Sequence, residues 1–143
     1  MNANSNLQVS ERSEPRVCRL AITGERQRYG IVIIVDEIPI CVTLTQFHIL
    51  LRLLIARSRR RTGFVQDPDF LYPKAICNLR QALEKAGEGK GMEFIETGIG
   101  QEYRLGFHPK GVVALDESAI ELVEARMIKQ DEFDYLQKEF GKR

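Results

Sequence analysis

The sequence predicts a mixed α+β fold in which a β-rich N-terminal block precedes helices and a β-hairpin. β-branched residues are dense in segment 31–42, which favours strands over a helix. Apolar residues recur at helical spacing in 47–55 and again in 76–83. Segment 93–105 has the glycine-centred pattern of a two-stranded hairpin.

The β-rich block is predicted to contain three strands. We expect the first two at 17–22 and 29–35, separated by a polar turn at 24–26. The second strand is apolar at consecutive positions, so both of its faces are predicted to be covered. Asp36 and Glu37 then form a tight turn into a third strand at 38–42.

The first helix begins at a capping box formed by Thr43 and Gln46. It ends in the polar, basic stretch 58–63. The connector 64–72 is ambiguous, because Asp67 and Pro68 are suited to starting a short helical turn there. The residues that form the apolar face of the first helix are Phe47, Leu50, Leu51, Leu54 and Ile55.

The second helix is predicted from Pro73 to about Lys85, with Ile76, Leu79 and Leu83 as its apolar stripe. Glycines 87, 89 and 91 predict a flexible connection to the hairpin at 93–105. Helical spacing returns after a break at 108–111 and predicts one broken helix or two short ones. The first of these helices is capped by Asp116 or Ser118 and has its apolar positions at Ile120, Val123 and Met127. The second is capped by Asp131 and has its apolar positions at Phe133, Leu136 and Phe140.

The length of 143 residues suits one domain with an extension. We divide the chain into a flexible arm at 1–15, a domain at 16–110 and a C-terminal helical extension at 111–143. The sequence has no run of 18 apolar residues that would span a membrane, and its N-terminus lacks the layout of a signal peptide. We therefore expect a cytoplasmic protein.

Composition argues against an enzyme and against a metal or cofactor site. Cys18, Cys41 and Cys77 show no CxxC spacing, and His48 and His108 are too far apart in the sequence to suggest a metal site. There is no HExxH or GxSxG motif, and the glycines at 87–91 lack a following Gly-Lys-Ser/Thr. We expect no enzymatic activity and no cofactor.

Charge is distributed unevenly along the chain, although the net charge is only +1. Residues 52–85 hold eight bases and three acids, whereas residues 116–143 hold five bases and eight acids. Residues 52–85 are predicted to form an electropositive face. The negative charge of residues 116–143 offsets this positive charge, which keeps the net charge of the chain low.

Two sets of polar side chains are candidates for contact with nucleic acid. The first set lies on the second helix, outside its apolar stripe. These side chains either form a solvated face or contact DNA in the major groove. The run at the end of the first helix is suited to phosphates, to the negative end of that helix, or to an acidic partner such as the chain's own tail. The two sets are Lys74, Asn78, Arg80 and Gln81, and Arg57, Arg59, Arg60 and Arg61.

The order of elements and three local sequences resemble the winged helix-turn-helix effector domain of OmpR/PhoB-type response regulators. VTLTQFHILL at 42–51 is similar to the family's LTPTEFxLL, and ICNLRQAL at 76–83 is similar to IxxLRxKL. IETGIGQEYRL at 95–105 is similar to IxTVRGxGYRL. The resemblance covers about residues 17–107, and it implies an N-terminal antiparallel sheet, a recognition helix and a β-hairpin wing.

Such domains bind promoter DNA, often as tandem dimers, and recruit RNA polymerase. By position, the resemblance implies a recognition helix at 73–85, with Lys74, Cys77, Asn78 and Gln81 directed toward bases or phosphates. Arg80 stands at the family's "LR" arginine and would reach a phosphate. Arg104 follows the wing tyrosine, which is Tyr103.

Three departures from the family pattern bear on function. We expect no receiver domain before this segment, and activation by phosphorylation is then not implied. The connector between the two helices is about ten residues shorter than the family's, so its middle helix must be truncated. Ile99 stands where the wing has an arginine and Glu102 where it has a glycine. The loss of a charged contact there is expected to cost about 1–3 kcal/mol of DNA binding.

Two functions are consistent with the sequence. The first is double-stranded DNA binding by a small transcription regulator, with the wing at 93–107 on the phosphate backbone. The second is a winged-helix domain reused for protein interaction or dimerisation, with little DNA affinity. A homodimer would form through residues 116–140, and RNA polymerase or another protein is the expected further partner.

Overall fold

The computed structural model describes residues 17–60, 62–66, 73–87 and 89–141. The expected arm at 1–15 lies outside these residues, as do 67–72, where a short helical turn was an option. The described elements are β1 (Leu20–Gln27), β2 (Gly30–Val35), β3 (Ile38–Val42), α1 (Leu44–Arg59), α2 (Pro73–Leu83), α3 (Lys90–Phe94), β4 (Ile95–Thr97), β5 (Tyr103–Leu105), β6 (Val113–Leu115), α4 (Ile120–Glu124) and α5 (Gln130–Phe140). They make a mixed α+β fold, as the sequence predicted.

A four-stranded mixed sheet has the order β3-β2-β1-β6. The first three strands are antiparallel, and β6 pairs in parallel with β1. Every residue of β2 except Ile34 is buried, which confirms that a strand with consecutive apolar residues is covered on both faces. Asp36 and Glu37 have φ values of 48° and 72°, so the predicted tight turn before β3 is confirmed.

The predicted turn at 24–26 is wrong, because β1 continues to Gln27 with an irregularity between Ile22 and Arg26. Gly24 instead allows the backbone of Ser118 to pack closely against β1. A Cβ atom at this position would lie 2.2 Å from the carbonyl oxygen of Ser118, and the Gly24 amide donates to the Ser118 hydroxyl at 3.1 Å. The glycine therefore allows the segment before α4 to approach the strand.

Helix α1 begins as predicted. The Gln46 amide donates to Thr43 Oγ1 at 3.2 Å, and the Thr43 amide donates to Gln46 Oε1 at 2.9 Å, which completes the capping box. The predicted apolar face packs into the core, with Phe47, Leu50 and Leu54 fully buried and Ile55 half-buried.

The described residues between α2 and the hairpin form a 3-10 turn and a short helix, contrary to the flexible glycine connection that the sequence predicted. A 3-10 turn at Glu84–Ala86 leads into α3, which contains Gly91. The Glu84 carboxylate accepts from the amides of Gly89 at 2.9 Å and Gly91 at 2.8 Å. A Cβ atom on Gly91 would lie 2.1 Å from the carbonyl oxygen of Arg80, so glycine permits α3 to pack against α2.

The hairpin begins two residues later than predicted, since Glu93 and Phe94 belong to α3. Val65 joins the hairpin from the connector after α1. Its amide donates to the Tyr103 carbonyl at 2.8 Å, and the Tyr103 amide donates back at 3.1 Å. These two bonds tie the described start of the connector to the hairpin.

The C-terminal residues share the core of the preceding domain, so a boundary at 110/111 does not separate two cores. Strand β6 is part of the sheet, and Phe133, Leu136 and Phe140 of α5 are buried. Asp116 accepts from the Ser118 amide at 3.0 Å and caps the turn before α4. Ile120 is 37% exposed, contrary to its predicted role on an apolar face.

The second of the two C-terminal helices begins at Gln130, one residue before the expected cap Asp131. The Glu132 carboxylate accepts instead from the Lys129 amide at 3.3 Å. Within the described ranges, no helix combines the length and the apolar character needed to cross a membrane.

Candidate nucleic-acid interface

Helix α2 has one buried face and one exposed face. Ile76, Leu79 and Leu83 are at most 1% exposed and anchor the helix in the core. Four of the candidate residues lie on the other face at the spacing i, i+3, i+4 and i+7, which places them in one stripe. These exposed residues are Lys74, Cys77, Asn78 and Gln81.

Arg80 is half-buried between this stripe and the hairpin. Its Nη2 atom donates to the Ile95 carbonyl at 2.6 Å and to Thr97 Oγ1 at 2.8 Å. Its Nε atom is buried and has no hydrogen-bond partner within the described part of the chain. The side chain joins α2 to strand β4, so its guanidinium holds the helix against the hairpin instead of extending to solvent.

Arg104 is likewise half-buried and bonded within the chain. Its Nε atom donates to Glu96 Oε1 at 2.7 Å, and its Nη1 atom donates to the Thr62 carbonyl at 2.9 Å. The guanidinium carbon lies 4.4 Å from the centre of the Phe64 ring, in cation–π geometry. Arg104 therefore ties the hairpin to the connector that follows α1.

Arg57 converges on the same connector from the last turn of α1. Its Nη1 atom donates to the Thr62 carbonyl at 3.0 Å. Burial lowers the pKa of Arg57, the nearby charge of Arg104 lowers it further, and Glu96 opposes both effects. Two arginines that share one carbonyl acceptor thus make a compact basic centre behind the hairpin.

The three described arginines at the end of α1 contact different groups, and Arg57 donates to the Thr62 carbonyl. Arg59 is exposed, with its guanidinium 4.3 Å from the centre of the Tyr135 ring. Arg60 is exposed and donates from Nη1 to the Phe64 carbonyl at 3.5 Å. Arg61 lies outside the described residues.

The hairpin tip presents an apolar side chain. Ile99 is 91% exposed. The loop closes through the Gly98 amide, which donates to the Glu102 carbonyl at 2.7 Å, and Gln66 Nε2 donates to the Gly100 carbonyl at 2.8 Å. The bond from Gln66 therefore ties the tip to the connector, while the exposed side chain at the tip, that of Ile99, carries no charge.

Sequence reasoning missed an ion pair that supports α3 and the hairpin. Asp36 accepts from the amides of Cys18 and Arg19, both at 2.8 Å, and also pairs with Lys90 of α3. Burial raises the pKa of Asp36, but the hydrogen bonds from Lys90, Arg19 and Cys18 and the charge of Lys90 outweigh it. The pKa therefore falls below the usual value of 3.8. The tight turn marks Asp36 in the sequence, but no local pattern points to Lys90.

Among the residues that the structure describes, no group of three or more His, Cys, Asp or Glu side chains is placed to hold a metal ion. Comparisons of the chain with protein-family models, with curated proteins and with solved structures find no match. The functional interpretation therefore depends on the geometry of the residues described above.

Proposed function

We propose that the chain is a small transcription regulator that binds double-stranded DNA. In this proposal α1, α2 and the hairpin form a winged helix, with Val65 joining the connector to the wing through a single β-bridge to Tyr103. Helix α2 enters the major groove and the hairpin lies on the phosphate backbone. A cytoplasmic location belongs to the same proposal.

The observation that carries this proposal is the exposed polar stripe of α2, opposite a fully buried apolar stripe. The helix has 11 residues and is therefore roughly 16 Å long. Its diameter of about 10–12 Å with side chains matches the width of a major groove, which is about 12 Å. Asn78 and Gln81 are suited to bidentate hydrogen bonds with adenine, and Lys74 to guanine or a phosphate.

The half-buried arginines act in this proposal as positioning residues. Arg80 fixes the helix relative to strand β4, and Arg104 fixes the hairpin relative to the connector. Their bonds set the distance between helix and wing before DNA arrives, which reduces the entropy cost of binding. Arg59 and Arg60 are exposed cations beyond the helix stripe that are suited to phosphate contact.

Fluorescence anisotropy with labelled duplexes at several salt concentrations tests the proposal. We expect binding at low salt that weakens as salt rises, because neutralised phosphates release counterions. Lys74→Ala with Gln81→Ala should weaken binding about tenfold or more. The matched control, Lys110→Ala with Gln137→Ala, changes the same residue types at exposed positions and should bind as the unaltered chain does. The proposal fails if no duplex binds at low salt, or if both double variants behave alike.

A second candidate function is protein interaction, which the 91% exposure of Ile99 at the hairpin tip favours. Ile99→Arg separates the two functions. A phosphate-binding wing should gain duplex affinity from the new cation, whereas a protein-binding wing should lose affinity for its partner. A homodimer through residues 116–140 could not use Phe133, Leu136 or Phe140 as anchors, because all three are buried in the chain's own core.

A further inference from the structure

Two adjoining cavities form an elongated groove between α1 and the start of α5. Their volumes are about 530 Å³ and about 400 Å³, and Arg52 and Glu132 line both. The first cavity extends to His48 and the second to Arg60. These two residues are separated by roughly 18 Å of helix at 1.5 Å per residue.

The floor of this groove is apolar and incompletely covered. Five of its lining residues pack against the core on one side and remain half-exposed on the other, so a bound partner would remove further apolar surface from water. They are Ile55, Val65, Val123, Met127 and Tyr135.

The rim of the groove is basic. Five cations line it, Arg52, Arg59, Arg60, Arg126 and Lys129, against the two carboxylates of Asp131 and Glu132. Both carboxylates accept from backbone amides at the start of α5, Asp131 from Glu132 at 2.9 Å and Glu132 from Lys129 at 3.3 Å. A chain with a net charge of only +1 therefore concentrates positive charge around an apolar floor, and the complementary ligand is acidic and amphipathic.

Arg126 occupies a backbone conformation that favours glycine. Its φ is 62°, and it follows the end of α4, where the Met127 amide donates to the Leu122 carbonyl at 2.7 Å. Glycine is the usual residue at such a helix end because a side chain strains the left-handed conformation. An arginine here keeps an exposed cation on the groove at some cost in backbone strain.

We propose that this groove binds an acidic amphipathic helix of a partner protein. The apolar face of such a helix would cover the half-exposed floor, and its carboxylates would meet the rim, as in other helix-in-groove complexes. Arg59 and Arg60 belong both to this rim and to the proposed phosphate contacts. Arg126 and Lys129 belong only to the groove and lie outside the exposed stripe of α2, so variants at these two positions test the groove separately from DNA binding.

The test uses the full chain and a defined probe, the fluorescein-labelled peptide amide LEELLEELLEEL, whose leucines fall on one helical face. Anisotropy should rise on titration at low salt, and the affinity should fall as salt is added. The charge-reversed peptide LKKLLKKLLKKL should not bind, because the rim repels it.

Paired variants locate the contact. Arg126→Gly with Lys129→Gln should weaken binding of the acidic peptide about fivefold to tenfold. Glycine relieves the backbone at position 126, so this variant should keep its fold, which circular dichroism and thermal unfolding would verify. The matched control, Arg28→Gln with Lys110→Gln, removes one arginine and one lysine elsewhere and should bind the peptide normally.

Three outcomes overturn the proposal: no binding of the acidic peptide at low salt, equal binding of the charge-reversed peptide, or full affinity in the Arg126–Lys129 variant. If the first outcome comes with a loss of duplex binding in this variant, the groove is assigned to nucleic acid. If the unaltered chain binds the peptide but no duplex, only the proposed DNA-binding function fails.

Discussion

Arg80 and Arg104 donate hydrogen bonds to backbone carbonyls of their own chain. The sequence marks both as cations beside a hairpin, and a resemblance assigns them to DNA. The structure places Arg80 on the Ile95 carbonyl and Arg104 on the Thr62 carbonyl. Composition and helical phase identify such residues but cannot tell whether their side chains turn inward.

Replacement of Arg80 by methionine should lower the free energy of unfolding by about 1–3 kcal/mol, because it leaves the Ile95 carbonyl without its charged donor. Methionine keeps much of the aliphatic stem. Chemical denaturation followed by circular dichroism measures the change, and Lys85→Met at an exposed position is the control. Equal stability of the two variants would show that the bond to the hairpin contributes little.

Asp36 should make stability depend on pH in the acid range. Its pKa is lowered in the folded state, so its contribution is fully present above the unfolded value near 3.8 and is lost as pH falls through the folded value. Asp36→Asn should therefore destabilise the chain at pH 7, and the difference from the unaltered chain should shrink toward pH 2. Urea denaturation at both pH values measures this, with Glu37→Gln as control. A difference that is independent of pH would contradict this account of the Asp36–Lys90 pair.

At the scale of elements, local patterns predicted β3, the capped start of α1 and the start of α2 at Pro73. Each depends on neighbours within a few residues: a tight turn, a capping box and a proline at the first helical position. The failures at Gly24 and Gly91 have one physical cause. A glycine that permits close approach of a distant segment has the same local signature as a glycine in a turn.

Gly91→Ala should lower the free energy of unfolding by about 3 kcal/mol, because the new methyl group meets the rigid backbone carbonyl of Arg80. Gly111→Ala is the control. A Cβ atom there meets nothing within 4 Å, and only its φ of 82° opposes the change, at about 1 kcal/mol. Thermal and chemical unfolding of both variants give the comparison. A smaller loss at position 91 than at position 111 would mean that α3 does not pack on α2 as described.

At the scale of the whole molecule, the C-terminal residues complete the core instead of extending from it. Spacing predicted the apolar positions of α5 correctly, but it could not say whether they face the chain's own sheet or a second copy. That choice depends on β6 pairing with β1, a contact between segments more than 90 residues apart in sequence. The groove beside α5 was unpredictable for the same reason, since its walls come from separate segments.

Phe133→Ala should lower the free energy of unfolding by about 3–5 kcal/mol and leave one cooperative transition, because α5 unfolds with the rest. Tyr29→Ala, at a side chain that is 79% exposed, should change stability little. Denaturation followed by circular dichroism and by tyrosine fluorescence measures both. Two separate transitions, or an unchanged first transition in the Phe133 variant, would mean that residues 111–143 are an independent appendage.

A map of amide chemical shifts during titration with a short duplex at low salt shows whether the exposed stripe of α2 contacts DNA. We expect the largest changes on residues 74–81 of α2 and on the hairpin tip at 98–101. A duplex that leaves these amides unchanged, or that shifts mainly residues 126–132 of the groove, would contradict the proposed DNA contact.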